Sequence, residues 1–200
     1  MREIIILSID IETSGCNVIK NGIISIGYCF GDLKGNVLKK GRLSMNLEDN
    51  LEFEERCFTQ FWSKNLEILT NLQNEAKPIR EQLNKFVQML DDYDKIYDLR
   101  IISDNKDFDL GFINYYLAKY LDRNPLHYKL NEEYRSTYDT NSYSRGVLRM
   151  TYEDSRITDE TIMEKFNFTI DNCVHNHYPD DDAEYIYKFH LNLINKINIK

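Results

Sequence analysis

Apolar residues fill positions 4–7, and Ile9 and Ile11 continue the run at alternate positions up to a Thr13-Ser14-Gly15 turn signal. β-Branched side chains dominate this segment, so it predicts a buried strand. Alternation along a strand puts Ser8, Asp10 and Glu12 on one face and Ile9 and Ile11 on the other. A second strand is expected over 22–30, a turn over 31–35 and a third strand over 36–45, together an antiparallel meander. Helical spacing then takes over. Phe61, Trp62, Leu66, Leu69 and Leu72 predict a helix over 59–72. Pro78 suits the first position of another helix through residue 90, with Leu83, Phe86, Val87 and Leu90 inward. Residues 95–103 predict a fourth strand, and 107–121 a long helix that Asn124-Pro125 ends. A last helix over 181–195 turns Ile186, Phe189, Leu193 and Ile194 to the core. The stretch 126–158 is rich in Tyr, Arg, Asn and Ser and predicts a short strand and a short helix near 143–152. Three leading antiparallel strands followed by alternating helix and strand imply an α/β fold, a mixed sheet with helices on both faces.

Composition narrows the function classes. The chain's 200 residues fit one domain, 1–200, and neither a Pro/Gly/Ser-rich linker nor an internal repeat divides it. A net charge of -8 argues against a protein that coats duplexes, but not against a nucleic-acid enzyme whose acidic cleft holds cations. Cys16, Cys29, Cys57 and Cys173 form no Cys-x-x-Cys pair, which speaks against zinc and disulfide frameworks and for a reducing compartment. The leading apolar run is too short to span a bilayer and lacks a signal-peptide cleavage region. The expectation is a soluble, cytoplasmic protein with no membrane partner. Its oligomeric state is left open, with exposed Phe or Tyr in the middle region as a candidate homodimer face.

The candidate chemistry begins at Asp10 and Glu12. Two carboxylates side by side on a central strand repel each other and are costly to bury. A hard divalent cation between them, Mg²⁺ or Mn²⁺, relieves that cost. An edge strand with its acids in water is the plain structural alternative. Asn105, Asp107 and Asp109 stand where a strand hands over to a helix, a place where ligands gather in α/β sheets. Asp109, in the first helical turn, can face the first strand, although acids there also complement the helix dipole. Further on, His175-Asn176-His177-Tyr178-Pro179-Asp180-Asp181-Asp182-Ala183 opens the last helix. Two pairs share one spacing, His175 with Asp180 and His177 with Asp182. Asp182-Ala183 opens the apolar helical repeat, but the residues alone leave both pairs open, and His175 stays as the alternative to His177.

Together, Asp10-x-Glu12, Asn105-x-x-Phe108-Asp109 and His177-x-x-x-x-Asp182-Ala183 resemble the three exonuclease motifs of the DEDDh 3′-5′ exonucleases. That superfamily includes oligoribonuclease, RNase T and the proofreading subunit of bacterial DNA polymerase III, and the resemblance covers most of the chain. It implies an RNase H-like fold with a mixed five-stranded sheet and helices on both faces. It also implies two divalent metal ions, Mg²⁺ or Mn²⁺, on Asp10, Glu12, Asp109 and Asp182, with His177 as general base. Thr13, Ser14 and Asn105 match substrate-contacting positions, and the implied partner is the 3′ end of RNA or DNA. Thr59-Gln60-Phe61-Trp62 further resembles the Thr-x-x-Trp-Trp segment of exoribonuclease AS-like bacterial and phage proteins, which inclines the substrate toward RNA. Phe61 and Trp62 also have a plain reading as core or lid residues. Arg135, Arg145, Arg149 and Arg156 are candidates to track a phosphate backbone. The implied activity is removal of nucleoside monophosphates from a single-stranded or overhanging 3′ end. The rivals are a catalytically idle nucleic-acid-binding domain of the same fold and a Ca²⁺- or Mg²⁺-stabilised structural protein.

Overall fold

The N-terminal apolar run forms β1 (Ile4–Thr13), the middle strand of a five-stranded sheet. The computed structural model describes residues 2–129, 133–148, 158–171, 173 and 175–198. β1 pairs antiparallel with β2 (Ile23–Asp32), and β2 antiparallel with the edge strand β3 (Val37–Ser44). On its other side β1 pairs parallel with β4 (Asp98–Ser103), which pairs parallel with β5 (Ser136–Asp139). The order β3-β2-β1-β4-β5 is therefore mixed. A central strand covered on both faces has to be apolar along its length, which is what the Ile-rich run supplies.

The helices are α1 (Glu55–Gln60), α2 (Leu66–Glu75), α3 (Ile79–Ile96), α4 (Lys106–Leu121), α5 (Thr140–Val147), α6 (Asp159–Phe166) and α7 (Pro179–Asn198). Leu83, Phe86 and Leu90 of α3, with Ile113, Tyr116 and Leu117 of α4, bury one sheet face through Ile5, Leu7, Ile9 and Ile11. Ala183, Ile186, Tyr187 and Leu191 of α7 cover the opposite face over Ile6, Cys29 and Ile102. Among the described residues no helix is long and apolar enough to cross a membrane.

Several boundaries differ from the sequence expectation, each for a local reason. The helix expected over 59–72 is two helices, α1 and α2, separated by a 3₁₀ turn at Trp62–Lys64. Trp62 is fully buried, and its indole N–H donates to the Thr13 carbonyl at 2.9 Å, so the chain bends to deliver the ring. α3 runs on to Ile96 and takes residues that were expected in the fourth strand. The helix near 143–152 starts earlier, at Thr140, because Asp139 accepts the Ser142 N–H at 2.6 Å; residues 149–152 lie outside the described residues. α6 was not expected, and Thr158 caps it. Arg135 is a correction. It is buried, pairs with Asp94, and donates to the Leu126 and Tyr128 carbonyls at 2.7 and 2.9 Å, so it pins the loop before β5 and faces no phosphate. Arg145 is exposed, and Arg149 and Arg156 lie outside the described residues.

The close seat of α7 depends on small residues in β2. A Cβ on Gly27 would lie 1.9 Å from the Pro179 carbonyl oxygen, and one on Gly31 would lie 2.1 Å from the Tyr187 ring. Gly27→Ala is expected to push the start of α7 off the sheet and to cost about 1–3 kcal/mol in urea denaturation. An unchanged denaturation midpoint would show that α7 does not rest on that backbone.

Candidate active site

The register of β1 places Asp10 beside Gly27 and Glu12 beside Ser25, on the face that α7 covers. Because the first turn of α7 rests on Gly27, Asp182 comes down onto this pair. One carboxylate oxygen from each of Asp10, Glu12 and Asp182 lies within 4.8 Å of the others. Asp182 is 2% exposed and is held by the backbone N–H groups of Asn176, at 2.9 Å, and His177, at 3.1 Å. His177 has a φ of 65°, a left-handed turn that lets the loop curl back over the helix start.

The run of three aspartates divides its work. Asp181 pairs with Lys40 at 2.6 Å and Asp180 with Arg42 at 2.9 Å, both on β3. Arg42 also binds Glu75 of α2 and lies 4.6 Å from the Tyr178 ring centroid, which ties the loop before α7 to β3. Only Asp182 turns into the cleft. The alternative pairing of His175 with Asp180 is therefore absent, and both histidines face Asp182 instead. His175 Nε2 is 3.6 Å and His177 Nδ1 4.0 Å from Asp182 Oδ2. The His177 ring meets Phe61 edge-on, with centroids 4.9 Å apart.

Asp109 arrives from the first turn of α4, 3% exposed, and accepts a hydrogen bond from the Ser103 hydroxyl at the end of β4. Burial first, and then the charges of Asp109 and Glu12, push Asp10 well above the usual carboxylate range. Burial, followed by Asp182 and Asp109, does the same to Glu12. Burial pushes Asp109 up to about 8, although the Ser103 hydrogen bond opposes the shift. Burial thus disfavours the ionised form of all four acids, and among them only Asp182 has imidazole neighbours, His175 and His177, whose positive charge opposes the shift.

This has a consequence for metal-free protein. Asp109→Asn is expected to raise the melting temperature in EDTA, and by more at about pH 8 than at about pH 5. A folded value of about 8 against an unfolded value near ~3.9 means that the folded chain keeps an extra proton across that window. Wild-type stability is therefore lost as the pH climbs through it, and the amide has no such loss. Equal effects at the two pH values would contradict the raised value that burial gives Asp109.

The expected substrate contacts fare differently. The Thr13 hydroxyl donates to the Gly15 carbonyl at 2.8 Å. Ser14 is fully buried; its hydroxyl donates to the Glu52 carbonyl at 2.9 Å and accepts from the Gly22 N–H at 3.0 Å. Both hydroxyls hold the turn together. A Ser between two backbone partners looks the same in sequence as one that greets a ligand. Asn105 is exposed, immediately ahead of α4. Ser103 and Asp104, whose charge adds to the shift of Asp10, carry no role in the sequence reading, and Phe61, expected as a core or lid residue, packs against His177. The Ser103-Asp104 pair at the end of a strand was the available signal.

No family model matches the chain, and no curated protein matches it by sequence. Solved structures match it closely in shape. A product-bound exonuclease I has a TM-score of 0.65 at 13% identity over 94% of this chain, which spans only 43% of that one. The nuclease domain of 3′hExo, a DEDDh family member bound to rAMP, has a TM-score of 0.63 at 13% identity, covering 97% of this chain and 92% of that one. Pop2p of S. pombe, in a form with Mg²⁺ and Mn²⁺ bound, has a TM-score of 0.61 at 14% identity, covering 92% and 81%. With its mixed five-stranded sheet and helices on both faces, the chain has the RNase H-like α/β fold of the DEDDh 3′-5′ exonucleases.

Proposed function

We propose that this protein is a metal-dependent 3′-5′ exonuclease that releases nucleoside monophosphates from the 3′ end of single-stranded or overhanging nucleic acid, RNA in preference to DNA. The observation that carries the reading is the convergence of Asp10, Glu12 and Asp182 within 4.8 Å, with buried Asp109 close enough to raise the pKa of both Asp10 and Glu12. An all-oxygen anionic donor set suits hard divalent ions such as Mg²⁺ and Mn²⁺. An idle domain gains nothing from keeping such repulsion, which argues against the non-catalytic alternative.

Asp10, Glu12, Asp109 and Asp182 would hold two such ions, which would supply Lewis acidity toward the attacking water and the departing 3′ oxygen. The chain's own groups do the rest. His177, 38% exposed at the cleft rim, accepts the proton of the attacking water at a ring nitrogen. Burial first and then the neighbouring His175 hold its pKa below the ordinary histidine value, so its neutral form prevails at pH 7. Activity accordingly rises with pH along an acid limb centred below the value of a free histidine. Phe61 packs against that ring in a T-shaped contact, and Asn105, exposed ahead of α4, would contact the terminal nucleotide.

Matched 5′-labelled RNA and DNA oligonucleotides, incubated with Mg²⁺, Mn²⁺ or EDTA, test the proposal. The expected product is a ladder shortening from the 3′ end, faster on RNA and absent in EDTA. Internal cuts, or binding without any cleavage, would overturn it.

A further inference from the structure

Asp182 has two neighbours whose chemistry differs from that of the carboxylates. His175 Nε2, His177 Nδ1 and an Asp182 carboxylate oxygen all lie within 4.8 Å of one another. His175 Nε2 and His177 Nδ1 stand 3.6 and 4.0 Å from Asp182 Oδ2, and the two rings meet edge to face with centroids 5.1 Å apart. The two His side chains are 50% and 38% exposed, so each can rotate by the fraction of an ångström that ligation needs. Asp182 cannot move in the same way, since two backbone N–H groups fix it. A rigid carboxylate facing two adjustable imidazoles, open to solvent on one side, has the make-up of a three-ligand transition-metal site with a free fourth position.

We propose that His175, His177 and Asp182 form a second metal site, selective for Zn²⁺-like borderline ions, whose occupation competes with the Mg²⁺ cluster for Asp182 and inhibits hydrolysis. Selectivity follows from the donors. Two imidazole nitrogens favour Zn²⁺ and Co²⁺ over Mg²⁺, whereas the oxygen-only cluster on the other side of Asp182 prefers hard ions. Inhibition follows from the sharing. An ion on this site takes an oxygen of Asp182 from the carboxylate cluster and, bound at His177 Nδ1, leaves that imidazole with no free nitrogen to accept a proton. The inhibitory half rests on the exonuclease reading, and the binding half does not.

Cobalt separates the two halves. Co²⁺ titrated into the metal-free protein should give the strong visible bands of a low-coordinate nitrogen-containing site, and Zn²⁺ should abolish them by displacement. The bands should persist in Asp10→Asn, which damages only the carboxylate cluster. In His175→Ala the apparent Co²⁺ affinity should fall by at least about 10-fold. In parallel, low Zn²⁺ added to saturating Mg²⁺ should slow hydrolysis by the wild type and leave His175→Ala largely unaffected. Bands that survive His175→Ala, or that vanish in Asp10→Asn, would place the ion in the carboxylate cluster and overturn the site. Zinc inhibition undiminished in His175→Ala would overturn the competition. If the wild type hydrolyses nothing, the exonuclease reading fails while the spectra still decide the site.

Discussion

Asp10→Asn is expected to abolish 3′-end degradation, a loss on the order of 10³-fold or more, while the metal-free variant melts above the wild type. The two effects share one cause. Burial and the charges of Asp109 and Glu12 make the ionised Asp10 unfavourable in the folded chain, so an uncharged isostere relieves the fold. Each kcal/mol relieved raises the melting temperature of a chain this size by about 2–4 °C. Adding Mg²⁺ should reverse the order, because only the wild type gains the stabilisation of ion binding. Calorimetry of both proteins in EDTA and in Mg²⁺, alongside the ladder assay, gives the comparison. If Asp10 were a solvated strand acid, the amide would leave both the melting temperature and its Mg²⁺ response unchanged.

His177→Ala is expected to cost about 10²- to 10⁴-fold in rate at saturating Mg²⁺, whereas His175→Ala stays within a few-fold of the wild type. The distances to Asp182 do not separate the two rings, since His175 is the nearer. Their surroundings do. His177 packs against Phe61, on the side of the turn that Trp62 anchors to the end of β1, whereas His175 packs against Tyr185 of α7. The pH profile supplies a second readout. The acid limb should disappear in His177→Ala and persist in His175→Ala, and the reverse pattern would exchange their roles.

Much of this site was legible in the sequence because strand and helix periods are rigid. Alternation alone put Asp10 and Glu12 on one face of β1, and the helix boundary put Asp109 in the first turn of α4. The rest depended on tertiary partners. Asp180, Asp181 and Asp182 are equivalent as helix-starting acids until Lys40 and Arg42 on the edge strand take the first two. Arg135 reads as a surface cation until Asp94 and two carbonyls enclose it. The hydroxyl of Ser14 reads as free until the Glu52 carbonyl, 38 residues away in sequence, claims it. Trp62 fits a helical period, yet its indole N–H has to reach Thr13, and that need breaks the helix. The close approach of α7 did leave a trace, since Gly27-x-Cys29-x-Gly31 is a row of small residues on one strand face.

Anomalous scattering from crystals grown in Mn²⁺ shows whether Asp10, Glu12, Asp109 and Asp182 hold divalent ions. Two Mn²⁺ peaks among these four carboxylates in the wild type, lost in Asp10→Asn, are the predicted result. A wild-type crystal with no peak at the cluster, at Mn²⁺ concentrations that support the reaction, would contradict it.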